Sequence, residues 1–242
     1  MGVTRRAVAT LAVLVVVSMT AACAGGTDDD LGVEPDDGAP RAEAITFETG
    51  DGTALEGFVF GSGETAVVLA HMRDSTKDAW IDVAIALARN GFTAFPFDFR
   101  HNSEGKTLDK ELDVDLTAAI AEMRARGAAK VFVAGASMGA TAALKVGAEQ
   151  KLDGIIAVSP SPTFGELDAT AAVGNLDEPS LFITARDDDP YAKETELLSK
   201  AADGELVLFD GDAHGTDLLQ EHGDKFTAAI IRFVKDPPAP PE

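Results

Sequence analysis

At 242 residues and 45% hydrophobic content, the chain has enough apolar material for one medium domain with a substantial core. Lysine and arginine number 20 against 41 aspartates and glutamates, for a net charge of -21, which argues against a nucleic-acid partner and against an electrostatic grip on anionic lipid. The single cysteine, Cys23, excludes an intramolecular disulfide.

Residues 1–22 carry the marks of an export signal: Arg5 and Arg6, an apolar run over 7–17, then Ala21 and Ala22 directly before Cys23. The run is shorter than the ~20 residues a membrane-spanning helix needs. Small residues ahead of a cysteine resemble the lipobox of bacterial lipoproteins, although Thr20 stands where an aliphatic residue is usual. The resemblance implies that Cys23 is lipidated and tethers the protein to the outer face of the cytoplasmic membrane; plain secretion is the alternative. Residues 23–42 then read as a lipid-anchored, disordered linker rich in Gly, Asp, Pro and Glu. Its aspartates (Asp28, Asp29, Asp30, Asp36, Asp37) lack the glycine and ligand spacing of a calcium loop. A folded domain is expected over 43–235, followed by a disordered Pro-rich tail at 236–242.

Within that domain, stretches 44–49 and 54–60 read as an antiparallel hairpin across Gly50-Asp51-Gly52. An apolar strand follows at 65–70. Helical spacing over 78–90 (Trp80, Ile81, Ala84, Ile85, Leu87, Ala88) stops at Gly91. A strand at 92–97 and a helix at 112–126 come next, then a β-branched strand from Lys130 running into an alanine-rich helix. Strands at 154–158, 180–184 and 205–209 are interleaved with helices at 192–202 and 216–234. Continuous apolar strands alternating with helices call for a mostly parallel sheet covered on both faces, with the opening hairpin as its antiparallel edge. Chemistry in such sheets gathers at the carboxyl ends of the strands.

Three predicted strand ends carry reactive groups. The first reads Gly135-Ala136-Ser137-Met138-Gly139. A serine hydroxyl is a poor nucleophile unless it is lifted clear of its surroundings and handed a base. A sharp strand-to-helix turn lifts it, and the close approach of strand and helix leaves room only for glycine two positions to either side. The alternative is an ordinary tight turn with a solvent-facing serine. The second strand end reads Arg186-Asp187-Asp188-Asp189-Pro190, and the third Asp210-Gly211-Asp212-Ala213-His214-Gly215.

Serine, then acid, then histidine is the chain order of the α/β-hydrolases, and residues 43–234 resemble a small bacterial member of the esterase or dienelactone-hydrolase-like kind. The resemblance also draws on Leu69-Ala70-His71-Met72 and Phe97-Asp98-Phe99-Arg100. It implies an α/β-hydrolase fold without a large cap domain, with Ser137 as nucleophile, His214 as base and an aspartate orienting the imidazole. The family places that acid a few residues past its strand, which favours Asp188; Asp187 is the runner-up, and Asp189 reads equally as a helix cap. The oxyanion donors would be the N–H of Met138 and one from the loop after 65–70, where the family writes His-Gly-x and this chain writes His71-Met72-Arg73. Met72 is the first choice there and Arg73 the second.

The remaining histidines have plainer readings: His71 as a structural residue of its loop, His101 in a solvated loop, His222 on the surface of the last helix. Trp80 at helical spacing reads as core. Four scattered histidines make no metal cluster, and no phosphate loop is present, so neither a metal nor another cofactor is expected. The short stretch 159–179, with Phe164 and Leu167, offers at most a small flap, which suits short or accessible acyl groups. The expected activity is therefore extracytoplasmic serine hydrolysis of small-molecule carboxylic esters. A thioester, lactone or peptide substrate is an alternative, and so is a non-catalytic binding lipoprotein. Covalent reactivity at Ser137 separates the last from the others.

Overall fold

The computed structural model describes residues 40–100 and 110–240. The expected signal, Cys23, most of the expected linker and His101 lie outside them. The opening hairpin pairs β1 (Ala42–Glu48) with β2 (Ala54–Phe60) in antiparallel register. β3 (Thr65–Ala70) leads through a 3-10 turn at Lys77–Trp80 into α1 (Ile81–Arg89), so the helix expected over 78–90 is divided in two. There follow β4 (Thr93–Phe97), α2 (Leu112–Ala125), β5 (Lys130–Ala136), α3 (Met138–Gly147) and β6 (Gly154–Val158). The 159–179 stretch folds into a miniature hairpin, β7 (Thr163–Phe164) with β8 (Leu167–Asp168), and a short α4 (Ala169–Val173). β9 (Ser180–Ala185), α5 (Tyr191–Ala201), β10 (Glu205–Phe209) and α6 (Leu218–Lys235) complete the chain.

Eight strands form one sheet in the order β1-β2-β4-β3-β5-β6-β9-β10. β2 pairs antiparallel with β4, and every pairing from β4 onward is parallel. Because side chains alternate across a strand, each central strand feeds two cores. Ala66, Val68, Ala70, Val131, Val133, Ile155 and Phe182 face one side with Leu116, Leu144 and Leu198 of the helices. Val67, Leu69, Phe132, Ala134, Ile156 and Ile183 face the other with Leu87, Phe226 and Phe233. This two-sided burial explains why β3, β5, β6 and β9 are nearly all apolar. Trp80 is fully buried and packs against Phe226, 6.3 Å between ring centroids.

The exit of β4 is closed by a buried ionic cluster. Arg100 gives its backbone N–H to Asp115 Oδ2 at 2.8 Å and its Nε to Oδ1 at 2.7 Å, while Nη1 reaches Asp51 of the hairpin turn at 2.8 Å and also pairs with Glu111. Burial opposes the guanidinium charge, but the bonds to Asp115 and Asp51 outweigh it and push the Arg100 pKa up. The cluster fastens the opening hairpin and α2 to the sheet.

His222, expected on the surface of the last helix, is partly exposed there, with 20% of its side chain accessible. The backbone of α6 is non-helical there, at φ -130°, and the ring stacks on Phe209 while Nε2–H donates to the Asp210 carbonyl at 2.7 Å.

Candidate active site

Ser137 sits between β5 and α3 at φ 48° and ψ -112°. Positive φ is costly for a residue with a Cβ and persists only where the surroundings enforce it. Here they do. The Ser137 N–H donates to Val158 O at 2.8 Å, and its carbonyl accepts from Thr141 N–H at 3.0 Å. A Cβ on Gly135 would collide with the Gly139 carbonyl and lie 2.6 Å from Ala140 N. A Cβ on Gly139 would lie 2.5 Å from Ala70 O and 2.7 Å from His71 O. Both glycines therefore permit backbone-to-backbone contact: one lets α3 approach its own strand, the other lets it approach the exit of β3. Met138 opens α3, so its N–H has no partner within the helix, and the positive end of the helix dipole lies beside Ser137.

The exit of β3 is held by His71. Its ring is fully buried, and Phe99 N–H donates to Nε2 at 3.2 Å. Nε2 is thus the acceptor, which leaves the proton on Nδ1 to donate to Met72 O at 2.7 Å. Burial holds the His71 pKa down, in keeping with this neutral tautomer. Because a trans peptide points its C=O and N–H in opposite directions, fixing the Met72 carbonyl on His71 turns the Arg73 N–H away from it. The Met72 side chain is half-buried, with its sulfur beside Gly215.

Of the three aspartates after β9, Asp188 is the one the structure brings to His214. It is buried at 5% exposure, and its carboxylate accepts from His214 Nδ1–H at 2.9 and 3.1 Å. Asp187 and Asp189 are exposed, and α5 has no side-chain cap, so Asp189 does not serve as one. Behind Asp188 runs a buried polar path. Gly215 N–H donates to Ser159 Oγ at 3.2 Å, Ser159 Oγ lies 3.4 Å from Thr184 Oγ1, and Thr184 Oγ1 donates to Asp188 Oδ2 at 3.4 Å. Since Gly215 follows His214, the path closes a ring through the imidazole. Ser159, itself at φ 46°, and Thr184 are fully buried. The Tyr191 ring leans on His214 with centroids 4.2 Å apart.

Sequence reasoning did not find Ser159, Thr184 or Tyr191. Ser159 and Thr184 sit at or just beyond the ends of β6 and β9, and Tyr191 opens α5. That placement is the only signal they give.

The arrangement provides a serine held clear of its neighbours, an imidazole with one nitrogen engaged by a buried carboxylate, and backbone N–H groups beside a helix terminus. Among the described residues no group of three His, Cys, Asp or Glu side chains is placed to hold a metal ion, and no helix is long and apolar enough to cross a membrane. A cavity of about 600 Å3 opens at the amino ends of β6 and β9, lined by Gly147, Leu152, Asp153, Glu178 and Pro179 among others, at the end of the sheet opposite Ser137.

The sequence matches no protein-family model and no curated protein at a significant level. Solved structures match along most of its length. An esterase of Pyrococcus furiosus superposes with a TM-score of 0.72 at 19% identity, over 81% of this chain and 92% of the other. A dienelactone hydrolase of Anabaena variabilis gives 0.67 at 21% identity, over 81% and 95%. An α/β serine hydrolase without a lid from Xanthomonas campestris gives 0.65 at 19% identity, over 81% and 94%. At these identities the likeness establishes the fold: a mostly parallel eight-stranded sheet with an antiparallel N-terminal pair, no large cap, and the α/β-hydrolase architecture.

Proposed function

We propose that the chain is a serine hydrolase that cleaves carboxylic esters through an acyl-enzyme, with Ser137 as nucleophile, His214 as base and Asp188 as the orienting acid. The observation that carries this reading is the Asp188–His214 bond together with the strained Ser137 turn, the residue after His214 (Gly215) lying against the residue before Ser137 (Ala136). With Nδ1 committed to Asp188, Nε2 is left as the basic nitrogen of His214. Ser137 Oγ attacks the ester carbonyl carbon as its proton passes to Nε2. The tetrahedral oxyanion is met by the N–H of Met138 and by one from the Met72–Arg73 segment. Collapse expels the alcohol, which takes the proton from His214. Water then attacks the acyl-Ser137 carbonyl, giving one proton to His214. Release of the carboxylic acid returns that proton to Ser137 Oγ. The esterase and hydrolase names of the structural neighbours agree with this class of reaction.

The N-terminal residues support an extracytoplasmic place for the reaction, with Cys23 lipidated and the domain tethered to a membrane. One experiment addresses both parts. The full chain, expressed in a bacterium that processes lipoproteins, is treated with a fluorophosphonate probe and then fractionated. Labelling in the membrane fraction is expected. It disappears in Ser137→Ala and moves to the soluble fraction in Cys23→Ser. A folded wild-type chain that takes no label would remove the serine mechanism, and label that ignores Cys23→Ser would remove the anchor.

A further inference from the structure

The order of the sheet puts β3 and β6 on either side of β5, the strand that delivers Ser137. Arg73 lies in the loop leaving β3, and Phe164 lies in the hairpin that follows β6. Strands two apart in a sheet are separated by about 10 Å. The Arg73 guanidinium nevertheless stands 5.7 Å from the centre of the Phe164 ring. A contact between the exits of both neighbours of β5 spans the end of β5 itself, where Ser137 stands.

Each side of this bridge is pinned. On the Phe164 side, Ser161 N–H donates to Thr141 Oγ1 at 3.2 Å, and Thr141 Oγ1 lies 3.0 Å from Ser161 O, which ties the approach to the hairpin to the first turns of α3. Past the turn, Leu167 is buried in the core, Ala169 N–H donates to Pro162 O at 2.9 Å, and Asp168 caps α4 through Ala171 N–H at 3.0 Å. On the Arg73 side, the bond from His71 to the Met72 carbonyl fixes the preceding peptide. The bridge is therefore a wall with both footings in the fold, in contrast to a lid on a free hinge.

The geometry points to Phe164, backed by Arg73, as the residue that limits acyl length at this site, so that its substrates are esters of short, compact acids. This rests on the hydrolase reading above. The leaving oxygen has to face His214 to be protonated, so the acyl chain leaves Ser137 on another side, and the bridge stands over the end of β5 from which Ser137 projects. A short acyl group ends before the ring, and a long one meets it.

The test compares kcat/KM for acetate, butyrate and octanoate esters of one alcohol in the full wild-type chain, Phe164→Ala and Phe164→Tyr. The octanoate-to-acetate ratio is internal to each preparation and so independent of the fraction folded. It is expected to be low in wild type, to rise about tenfold or more in Phe164→Ala, and to stay at the wild-type value in Phe164→Tyr, which keeps the ring. An unchanged ratio in Phe164→Ala overturns the wall and leaves the hydrolase reading standing. A folded wild-type chain that turns over none of the esters overturns both.

Discussion

Asp188 and Asp115 are both buried carboxylates near the carboxyl ends of strands, at 5% and 0% exposure, but their partners differ in kind. Asp115 faces Arg100, a permanent cation whose side chain is only 4% exposed and whose donors are shared among Asp115, Asp51 and Glu111. A guanidinium held by three carboxylates has no proton to trade, and such a group can only hold things together. Asp188 faces His214, whose side chain is 28% exposed and which is engaged by the carboxylate through one nitrogen. A ring that is fixed on one edge and open on the other can gain and lose a proton. The contrast shows that burial of a carboxylate marks neither stability nor chemistry; the proton capacity and exposure of its partner decide.

That contrast can be broken by exchanging each acid for its amide. Asp188→Asn is expected to lower kcat by about 10^4-fold, since the amide favours the wrong imidazole tautomer, while the melting temperature moves little. If ester turnover survived that exchange, Asp188 would lose its assigned role. Asp115→Asn is expected to do the reverse. It leaves Arg100 with less compensation in a dry site and should cost about 3 kcal/mol in denaturant unfolding, with kcat per folded molecule near that of wild type. A kcat loss without destabilisation at Asp115 would mean that the two clusters are coupled.

The sequence reveals these two clusters unequally. Gly135 and Gly139 can be read because their steric demand is local: strand, turn and helix are contiguous, and the contact each glycine permits follows from that turn. The sheet likewise follows from unbroken apolar runs such as β3 and β6. Choosing among Asp187, Asp188 and Asp189 is not local. Three consecutive residues leave a strand in three directions, and only the position of β10 decides which of them meets His214. The path from Gly215 through Ser159 and Thr184 to Asp188 joins residues 56 and 25 positions apart, and no spacing rule links them. The bridge between Arg73 and Phe164 depends in the same way on β3 and β6 flanking β5. The kink at His222 is not legible, because helical spacing carries no sign of the non-helical backbone that accompanies its stack on Phe209.

A third buried carboxylate sharpens the comparison, because it has no cationic partner among the described residues. Glu178, at the amino end of the sheet, is 5% exposed, and its Oε1 has no hydrogen-bond partner among the described residues. Burial pushes its pKa up to about 7, although the backbone N–H groups of Glu178 and Asp177 pull the other way. The sign of the consequence follows from proton counting. Between the ordinary glutamate value and about 7, the folded chain holds a proton on Glu178 that the unfolded chain has released. This contribution to stability is full below the unfolded pKa and is lost as pH rises through the folded one. From about pH 5.5 to about pH 8 the loss should amount to about 2 kcal/mol. Glu178→Gln, which cannot ionise, should remove that slope, so wild type and variant would converge at low pH and separate at high pH with the variant more stable. Parallel curves for the two proteins would show that water or a cation already satisfies the carboxylate. In that case Glu178 would belong with Asp115 as a paired group.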